Sequence, residues 1–261
     1  MNLEKTMELE LDERQRAMLQ EMGVHVWLPL PISEPVLQTP VAPARHAPVV
    51  TPRIAVAAPP VETVVLPSTG WPALQQAAAT CQACSLCAGR KHATLHPPLA
   101  AQADWLVVGD PPDEDEDRLA QPFVEQAGLL LDNMLKAVGA SRTGAGRQGA
   151  YLTNVVKCRP PQGQLPQAAD LAQCAAYLQR EVALVQPKVI LAMGRFATQL
   201  LLSEHPEQAA LPLGKQRGMV YRYRGIPVVV TYHPKVLLRA SADKAKAWAD
   251  LCLAFEAMGA A

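Results

Sequence analysis

Cysteines are the residues of this chain whose chemistry can be interpreted most directly from their spacing. Cys81 and Cys84 form a CxxC pair, and Cys158 and Cys174 lie downstream with 15 residues between them. Four thiolates that folding brings together can hold either a zinc ion or a [4Fe-4S] cluster, and spacing alone does not choose between the two. Cys87 extends the pair to CxxCxxC and is an alternative ligand. Unligated buried cysteines are the remaining interpretation.

A second group of polar residues follows apolar runs that predict buried strands. Asp110 comes directly after the run Asp104–Gly109, and His233 follows a later run of β-forming residues. Asn154 lies in an extended stretch that ends at the prolines 160 and 161, which cannot continue a sheet ladder. In open α/β sheets, ligands bind at the carboxyl ends of the strands. The sequence therefore predicts a ligand site near these side chains.

The elements that position these residues alternate between extended and helical patterns from residue 71 onward. Strands alternating with helices predict an α/β fold, a three-layer αβα sandwich with a mostly parallel sheet. A polar loop is expected between residue 110 and Phe123, and a turn at 147–149 before a strand that begins at Tyr151. The other predicted elements are a helix from Trp71 into Cys81, strands at Asp104–Gly109 and Lys188–Met193, helices around Gly128–Val138, Gln167–Val185 and Arg195–Leu202, a hairpin of Val220–Arg224 and Ile226–Thr231, and a closing helix at Ala242–Met258.

The chain before residue 71 differs in composition from the globular domain predicted at 71–261. Residues 29–70 hold ten of the 24 prolines, which predicts a disordered or polyproline-like linker. Residues 1–28 predict a short N-terminal helix that is too short to be stable alone. It either docks on its own domain or binds the groove of a partner, and the linker favours a partner. The apolar residues predicted to bind that partner are Met18, Leu19, Met22 and Trp27.

Charge and hydropathy limit the function classes. Basic and acidic residues number 24 each, so net charge gives no overall signal of nucleic-acid binding. No apolar run reaches the ~18 residues that a membrane helix needs, and the acidic N-terminus has no secretory signal. We therefore expect a cytoplasmic protein whose cysteines are reduced, which favours metal binding over disulfides.

The segment Thr153-Asn-Val-Val-Lys-Cys-Arg-Pro-Pro161, together with the upstream CxxC pair, resembles the iron–sulfur (family 4) uracil-DNA glycosylases. The resemblance extends from about Cys81 to Trp248. It implies the α/β fold of that family, DNA as a partner, and a [4Fe-4S] cluster rather than zinc. The implied cluster ligands are Cys81, Cys84, Cys158 and Cys174.

The resemblance also implies a uracil site at the strand ends. Asp110 matches an acid near the sugar of the flipped nucleotide, where a negative group stabilises an oxocarbenium-like sugar and orients water. Phe123, in Pro-Phe-Val, matches the ring that stacks on uracil. Asn154 matches the residue that reads the Watson–Crick edge, because an amide both donates to O4 and accepts from N3. Core packing of Phe123 and a loop-capping role for Asn154 are the structural alternatives.

Two matches come from the C-terminal part of the chain. His233, in Thr-Tyr-His-Pro, matches the histidine that stabilises charge on uracil O2 as the base leaves. Leu237 and Arg239 match a loop in which an apolar side chain wedges into the duplex and an arginine meets phosphate.

Four positions depart from the family pattern at the expected mouth for DNA. Pro111 stiffens the turn after Gly109, and Asp113 replaces a glycine with a charge that would repel phosphate. Ala120 and Glu125 also replace glycines, which removes flexibility and adds side chains. These departures predict reduced or lost glycosylase activity. The alternative is an active enzyme that hydrolyses uracil from DNA.

The segment Leu19-Gln-Glu-Met-Gly-Val-His-Val-Trp27 resembles the N-terminal segment of the psi subunit of bacterial DNA polymerase III holoenzyme. That family's segment binds the clamp loader. The resemblance covers nine residues and implies that residues 10–28 bind the clamp loader or another replication protein. It favours a replication accessory over a free-standing repair enzyme.

Overall fold

The computed structural model describes residues 70–99, 102–161 and 164–259, and the predictions for residues 1–28 and 29–69 lie outside them. Within these ranges the chain forms a sheet of order β2-β1-β3-β5-β4. Four strands are parallel, and the edge strand β4 is antiparallel to β5. This confirms the predicted α/β fold. The strands are β1 Ala103–Gly109, β2 Gly146–Asn154, β3 Val189–Met193, β4 Val220–Tyr223 and β5 Ile226–Thr231.

Helices cover the sheet close to the predicted positions, with ends that shift by a few residues. No helix in the described part of the chain is long and apolar enough to cross a membrane. The helices are α1 Trp71–Thr80, α2 Glu114–Leu119, α3 Glu125–Ala137, α4 Ala168–Val185, α5 Arg195–Leu201, α6 Pro206–Ala209, α7 Leu213–Gln216, α8 Pro234–Arg239 and α9 Lys244–Gly259, with 3-10 turns at Ser85–Gly89 and Ser241–Asp243.

The central strands are buried on both faces, which explains their uninterrupted apolar sequences. Every residue of β1 and β3 is buried. Successive side chains of a strand point to opposite faces of the sheet. Leu106 therefore joins a hydrophobic cluster with Leu178 of α4, whereas Trp105 joins a second cluster with Leu131 of α3 and Leu251 of α9. The two clusters are the two interfaces of a three-layer sandwich.

Helix α2 occupies the stretch where we predicted a polar loop. The Asp113 side chain accepts a hydrogen bond from the backbone N–H of Glu116, and the Glu116 carboxylate accepts one from the backbone N–H of Asp113. This reciprocal capping box starts the helix. The acids of its first turn are stabilised by the positive end of the helix dipole. The acidic run Asp113–Asp117 therefore forms the N-terminal end of α2.

Strand β2 begins at Gly146, so the predicted turn at 147–149 is wrong. Ala103 of β1 pairs with Gly146, and Trp105 pairs with Ala150, with an irregularity in the register between them. Arg147 and Gln148 are exposed. Because β2 is an edge strand, it tolerates polar side chains at its start, and this hid the strand from a search for β-formers.

Candidate functional site

The carboxyl ends of four parallel strands meet at one edge of the sheet. Gly109 at the end of β1 is in register with Asn154 of β2, and β3 and β5 end at the same level. Asp110, Asn154 and His233 therefore leave the sheet at this edge, where ligands bind in open α/β sheets.

Asn154 is fully buried, and two acceptors orient its amide. Nδ2 donates to the backbone oxygen of Asp110 at 2.9 Å and to a carboxylate oxygen of Glu116 at 3.2 Å. Both amide hydrogens are thereby used. Oδ1 has no partner in the described part of the chain, although buried polar atoms are usually paired. The amide presents an acceptor suited to a ring N–H such as that at N3 of uracil, and the donor expected to face O4 is already engaged.

Glu116 organises this edge of the sheet, and the sequence analysis missed it. Its carboxylate is 1% exposed. Besides Asn154, it accepts hydrogen bonds from the backbone N–H groups of Phe123 at 2.7 Å and Asp113 at 3.0 Å. Nζ of Lys235 lies 2.9 Å away. Four donors satisfy a charge that would otherwise be costly to bury. In the sequence, Glu116 lies in the acidic run Asp113–Asp117, within the stretch that we predicted to be a polar loop.

Phe123 lies at this site with a left-handed backbone, φ +51°. That conformation costs a non-glycine residue roughly 1–2 kcal/mol. Glu116 holds its N–H, and Arg142 donates to its carbonyl oxygen at 2.7 Å and to that of Pro122 at 3.2 Å. The ring lies close to Gly109, where any Cβ would come within 2.5 Å of it. Local strain that neighbours enforce is typical of functional sites.

The His233 ring stacks on the Phe123 ring, with centroids 5.2 Å apart and planes within 15°. Nδ1 of His233 accepts from the backbone N–H of Lys235 at 3.2 Å, so in the neutral ring Nε2 carries the proton. Burial lowers the pKa of His233 to about 3, with a further contribution from the Lys235 charge that Asp113 opposes. His233 is therefore a neutral N–H donor at physiological pH.

Asp110 lies after β1 as predicted, but other groups already engage its carboxylate. It accepts hydrogen bonds from the backbone N–H groups of residues 195–197 at the start of α5, at 3.3, 2.7 and 3.3 Å. Burial raises the pKa of Asp110, and these donors together with Lys235 oppose the rise. In this arrangement the side chain caps a helix.

Lys235 joins Asp113 and Glu116 in a group of three charges. Its Nζ lies 2.7 Å from the carboxylate of Asp113 and 2.9 Å from that of Glu116. Burial lowers the pKa of Lys235, but the two carboxylates outweigh it and raise the pKa. Burial alone would raise the pKa of Asp113, but the hydrogen bond from Lys235 outweighs burial and lowers the pKa. Asp113 is therefore not the free charge that we expected, because it pairs with a cation, but two carboxylates and one ammonium still leave this group with one net negative charge.

The departures at Ala120 and Glu125 fall on strained backbone. Their φ angles are +56° and +51°. Glycine adopts such angles freely, whereas other residues pay about 1–2 kcal/mol. At both positions the backbone has a conformation that suits glycine, although the residues there carry side chains. Phe123, which lies between them in the sequence, is strained in the same way.

The residues predicted to contact the duplex lie on α8. Arg239 is exposed, as a phosphate contact requires. Leu237 is 1% exposed and lines an apolar groove with Met134 and Trp248. The wedge role predicted for Leu237 is therefore corrected, because a side chain packed in this way is not available to enter a duplex. The exposed apolar neighbour is Leu238, at 46%.

The cysteines of the predicted metal centre surround one cavity, which α1, the loop after β2 and α4 help to form. Its volume, taken as the space open to the centre of a water-sized sphere, is about 10 Å³. In residues 70–99, 102–161 and 164–259, no group of three or more His, Cys, Asp or Glu side chains could hold a single metal ion. The cysteines that line the cavity are Cys81, Cys84, Cys87, Cys158 and Cys174.

The donor chemistry of the cavity fits a [4Fe-4S] cluster, which spreads four thiolates over its corners. Burial raises the pKa values of the Cys84 and Cys158 thiols, and that of Cys174 to about 12, so iron would displace protons from these thiols at neutral pH. Arg90 Nη1 and the backbone N–H of Lys157 donate to the sulfurs of Cys158 and Cys174 at 3.0 and 3.4 Å. Such donors are typical around thiolate ligands.

A buried ion pair connects the cysteine cavity to Asn154. Lys157 Nζ lies 2.7 Å from Glu181, and the two side chains are 2% and 0% exposed. Nζ also donates to the backbone oxygen of Asn154 at 2.7 Å. The second oxygen of Glu181 accepts from the hydroxyls of Tyr151 and Thr153, each at 2.8 Å. In the sequence, Lys157 stands out only as part of the motif Thr153–Pro161, and nothing local marks Glu181 as its partner.

One protein superfamily matches most of the domain described above. The model of the uracil DNA glycosylase superfamily matches residues 96–252. The type-4 uracil-DNA glycosylase of Sulfurisphaera tokodaii is 34% identical over 140 residues, which cover 52% of this chain and 62% of that protein. The chain thus spans less than two thirds of this relative.

Two further relatives carry the same description. The type-4 uracil-DNA glycosylase of Archaeoglobus fulgidus is 34% identical over 141 residues, covering 52% of this chain and 68% of the relative. That of Pyrobaculum aerophilum is 35% identical over 154 residues, covering 58% and 76%. With the family model matching more than half of its residues, the chain belongs to the uracil-DNA glycosylase superfamily.

Proposed function

We propose that this protein binds uracil in DNA at Phe123, Asn154 and His233, and that it excises the base more slowly than its type-4 relatives. The observation that carries the proposal is the direct stacking of Phe123 on His233 at 5.2 Å. Rings at that distance are in contact, so a base cannot enter between them until one ring moves. Phe123, Asn154 and His233 carry the groups that uracil excision needs, but the stacked Phe123 and His233 rings leave no space for the base.

The chemistry follows from the atoms that remain free. Oδ1 of Asn154 accepts the N3 hydrogen of uracil, and Nε2 of His233 donates to the O2 carbonyl. As the bond between the sugar C1′ and uracil N1 breaks, its electron pair leaves with the base, and the His233 N–H stabilises the resulting charge on O2. Water then adds to C1′ of the sugar and loses a proton, and the uracil anion gains a proton and leaves as neutral uracil. Asp110 would stabilise the sugar cation and orient that water, but its carboxylate already accepts three backbone hydrogen bonds.

The proposal is tested by measuring uracil excision from single- and double-stranded DNA, beside a type-4 relative at the same salt concentration. We expect the single-turnover rate to be more than tenfold lower, because opening the ring stack and freeing Asp110 both raise the barrier. Tenfold corresponds to only about 1.4 kcal/mol. A rate within tenfold of the relative would show that these contacts do not limit the reaction.

We also propose that Cys81, Cys84, Cys158 and Cys174 hold a [4Fe-4S] cluster. The support is their position around one cavity, the N–H donors aimed at two of the sulfurs, and the similarity to the type-4 enzymes. When bound, the cluster would cross-link the end of α1, the loop after β2 and α4. Its contribution would be structural, because it joins segments that are distant in sequence. Cys87 is the alternative ligand.

Protein purified anaerobically is expected to be brown and to contain about four iron atoms per chain. Its absorption should show the broad thiolate-to-iron band near roughly 400 nm. Cys174→Ser should lose the iron, whereas Cys252→Ser, which changes a cysteine outside the cavity, should keep it. Stoichiometric zinc without iron in the wild-type protein would contradict the proposal.

A third proposal concerns residues 10–28, and the sequence favours it. The segment combines an apolar stripe with Trp27, a proline-rich tether behind it, and an order similar to that of the psi peptide. A peptide that carries an aromatic anchor on a long tether suits binding to a partner's groove. We propose that it binds the clamp loader of the replicative polymerase and so brings the glycosylase-like domain to replicating DNA.

Trp27→Ala is expected to weaken binding to purified clamp loader by roughly thirtyfold or more, because truncating a buried tryptophan anchor commonly costs at least about 2 kcal/mol. The measurement is a titration of the isolated peptide and of the full chain. Deletion of residues 1–28 should abolish binding and leave the iron content and the melting temperature of the domain unchanged. Normal binding by the domain alone, with none by the peptide, would show that the interaction lies elsewhere.

A further inference from the structure

We propose that Arg90 positions the cysteine centre and raises the reduction potential of a cluster bound there. The inference rests on the [4Fe-4S] cluster proposed above. Arg90 belongs to none of the sequence motifs described above. Its Nη1 donates to the sulfur of Cys158 at 3.0 Å, and its Nη2 donates to the backbone oxygen of Ala79 at 2.7 Å. Ala79 lies two residues before Cys81, so one guanidinium joins two ligand-bearing segments.

The segment that carries Arg90 is fixed against the loop after β2. A Cβ on Gly89 would lie 2.7 Å from the backbone nitrogen of Pro161 and 2.9 Å from the oxygen of Arg159, so only glycine allows this approach. The backbone N–H of Thr94 donates to the oxygen of Lys157 at 2.9 Å. These contacts on either side of Arg90 hold its backbone beside the Cys158 loop. The guanidinium position therefore follows from the backbone path of both segments.

An arginine at this place has two physical effects on a cluster. Its charge and its N–H bond to a ligand sulfur favour the reduced state, which carries one more negative charge, and hydrogen bonds to sulfur are among the factors that set cluster potentials. Its planar fork donates to the two acceptors from two separate nitrogens, whereas lysine carries all its N–H groups on one nitrogen at the end of a flexible stem. Arg90→Gln should remove both effects, and Arg90→Lys should keep the charge while losing the bridge.

The experiment compares the cluster-loaded wild-type protein with Arg90→Gln, Arg90→Lys and Arg159→Gln. Arg159 is the matched control, because it follows Cys158 directly and its guanidinium lies 3.4 Å from Glu114. The midpoint potential of the one-electron couple is measured by anaerobic spectroelectrochemistry with electron paramagnetic resonance. We expect Arg90→Gln to lower the equilibrium constant for reduction about tenfold, which corresponds to 59 mV for one electron. Arg90→Lys should change it about threefold, and Arg159→Gln by less than that.

Iron release to a chelator supplies the second readout, and it should be at least threefold faster in Arg90→Gln and in Arg90→Lys than in the control. A potential in Arg90→Gln equal to that of Arg159→Gln would overturn the tuning role. If Arg90→Gln cannot hold iron, Arg90→Lys decides, and wild-type potential with wild-type iron release in that variant would overturn the proposal. A wild-type protein without iron would overturn the cluster and this inference together, whereas uracil excision, fast or slow, bears on neither.

Discussion

Lys157→Met is expected to destabilise the domain by about 3–5 kcal/mol, because it removes one partner of a buried ion pair and leaves the other charge uncompensated. Lys157 and Glu181 are 2% and 0% exposed. Methionine fills similar space but donates nothing to Glu181, to the Thr153 hydroxyl or to the backbone oxygen of Asn154. For a domain of this size, about 1 kcal/mol shifts the melting temperature by roughly 2–4 °C. We therefore expect a fall of about 6–20 °C, measured by circular dichroism under anaerobic conditions.

The control for this prediction is Lys188→Met, which breaks the ion pair between Lys188 and Asp104. That lysine side chain is 59% exposed, although the pair distance is a similar 2.9 Å. Its partner Asp104 is only 10% exposed, but water screens the solvated lysine, so the pair should contribute about 1 kcal/mol and the melting temperature should change by a few degrees at most. Glu181→Gln should resemble Lys157→Met because it leaves the lysine charge buried. Equal effects of Lys157→Met and Lys188→Met would show that the buried pair is not a major support of the fold.

The sequence predicts best those parts of the fold in which all residues of a continuous stretch lie in the same environment. β1 and β3 are buried on both faces, so their apolar runs identified them within one residue at either end. Gly225 between two runs of β-forming residues predicts the hairpin of β4 and β5. In the structure Gly225 occupies the turn with φ +84°. In contrast, the start of β2 is polar and Gly-rich, and its strand conformation depends on pairing with β1.

The site was harder to predict because its organising contacts join residues that are distant in sequence. Glu116 meets Asn154 across 38 positions and Lys235 across 119. In sequence Glu116 belongs to a run of five acids, and nothing local marks one of them as buried. On α8, the choice between Leu237 and Leu238 depends on how the helix docks on α3, which the sequence does not specify.

Asp113→Asn is expected to increase affinity for DNA about tenfold at 0.1 M salt, which is about 1.4 kcal/mol. The Asp113 carboxylate lies 2.7 Å from Nζ of Lys235 at the mouth of the site, and without it Lys235 keeps one carboxylate partner, Glu116 at 2.9 Å, and can also meet a phosphate. Asparagine removes the charge but remains a good N-cap, which preserves the hydrogen bond from the Glu116 N–H that starts α2. Asp113→Gly would instead mix the loss of the cap with the loss of the charge.

The salt dependence of binding distinguishes a new contact between Lys235 and a phosphate from a general change in the net charge of the protein. Each additional phosphate contact steepens the slope of log K against log salt by about 0.9 on duplex DNA. We expect that change for Asp113→Asn and little change for Asp115→Asn, which removes the same charge from the same helix but from a carboxylate that lies 2.9 Å from the exposed Arg118. If both variants gain affinity equally, net charge and not Lys235 explains the effect. If neither gains affinity, Asp113 does not limit the contact between Lys235 and DNA, and the prediction is wrong.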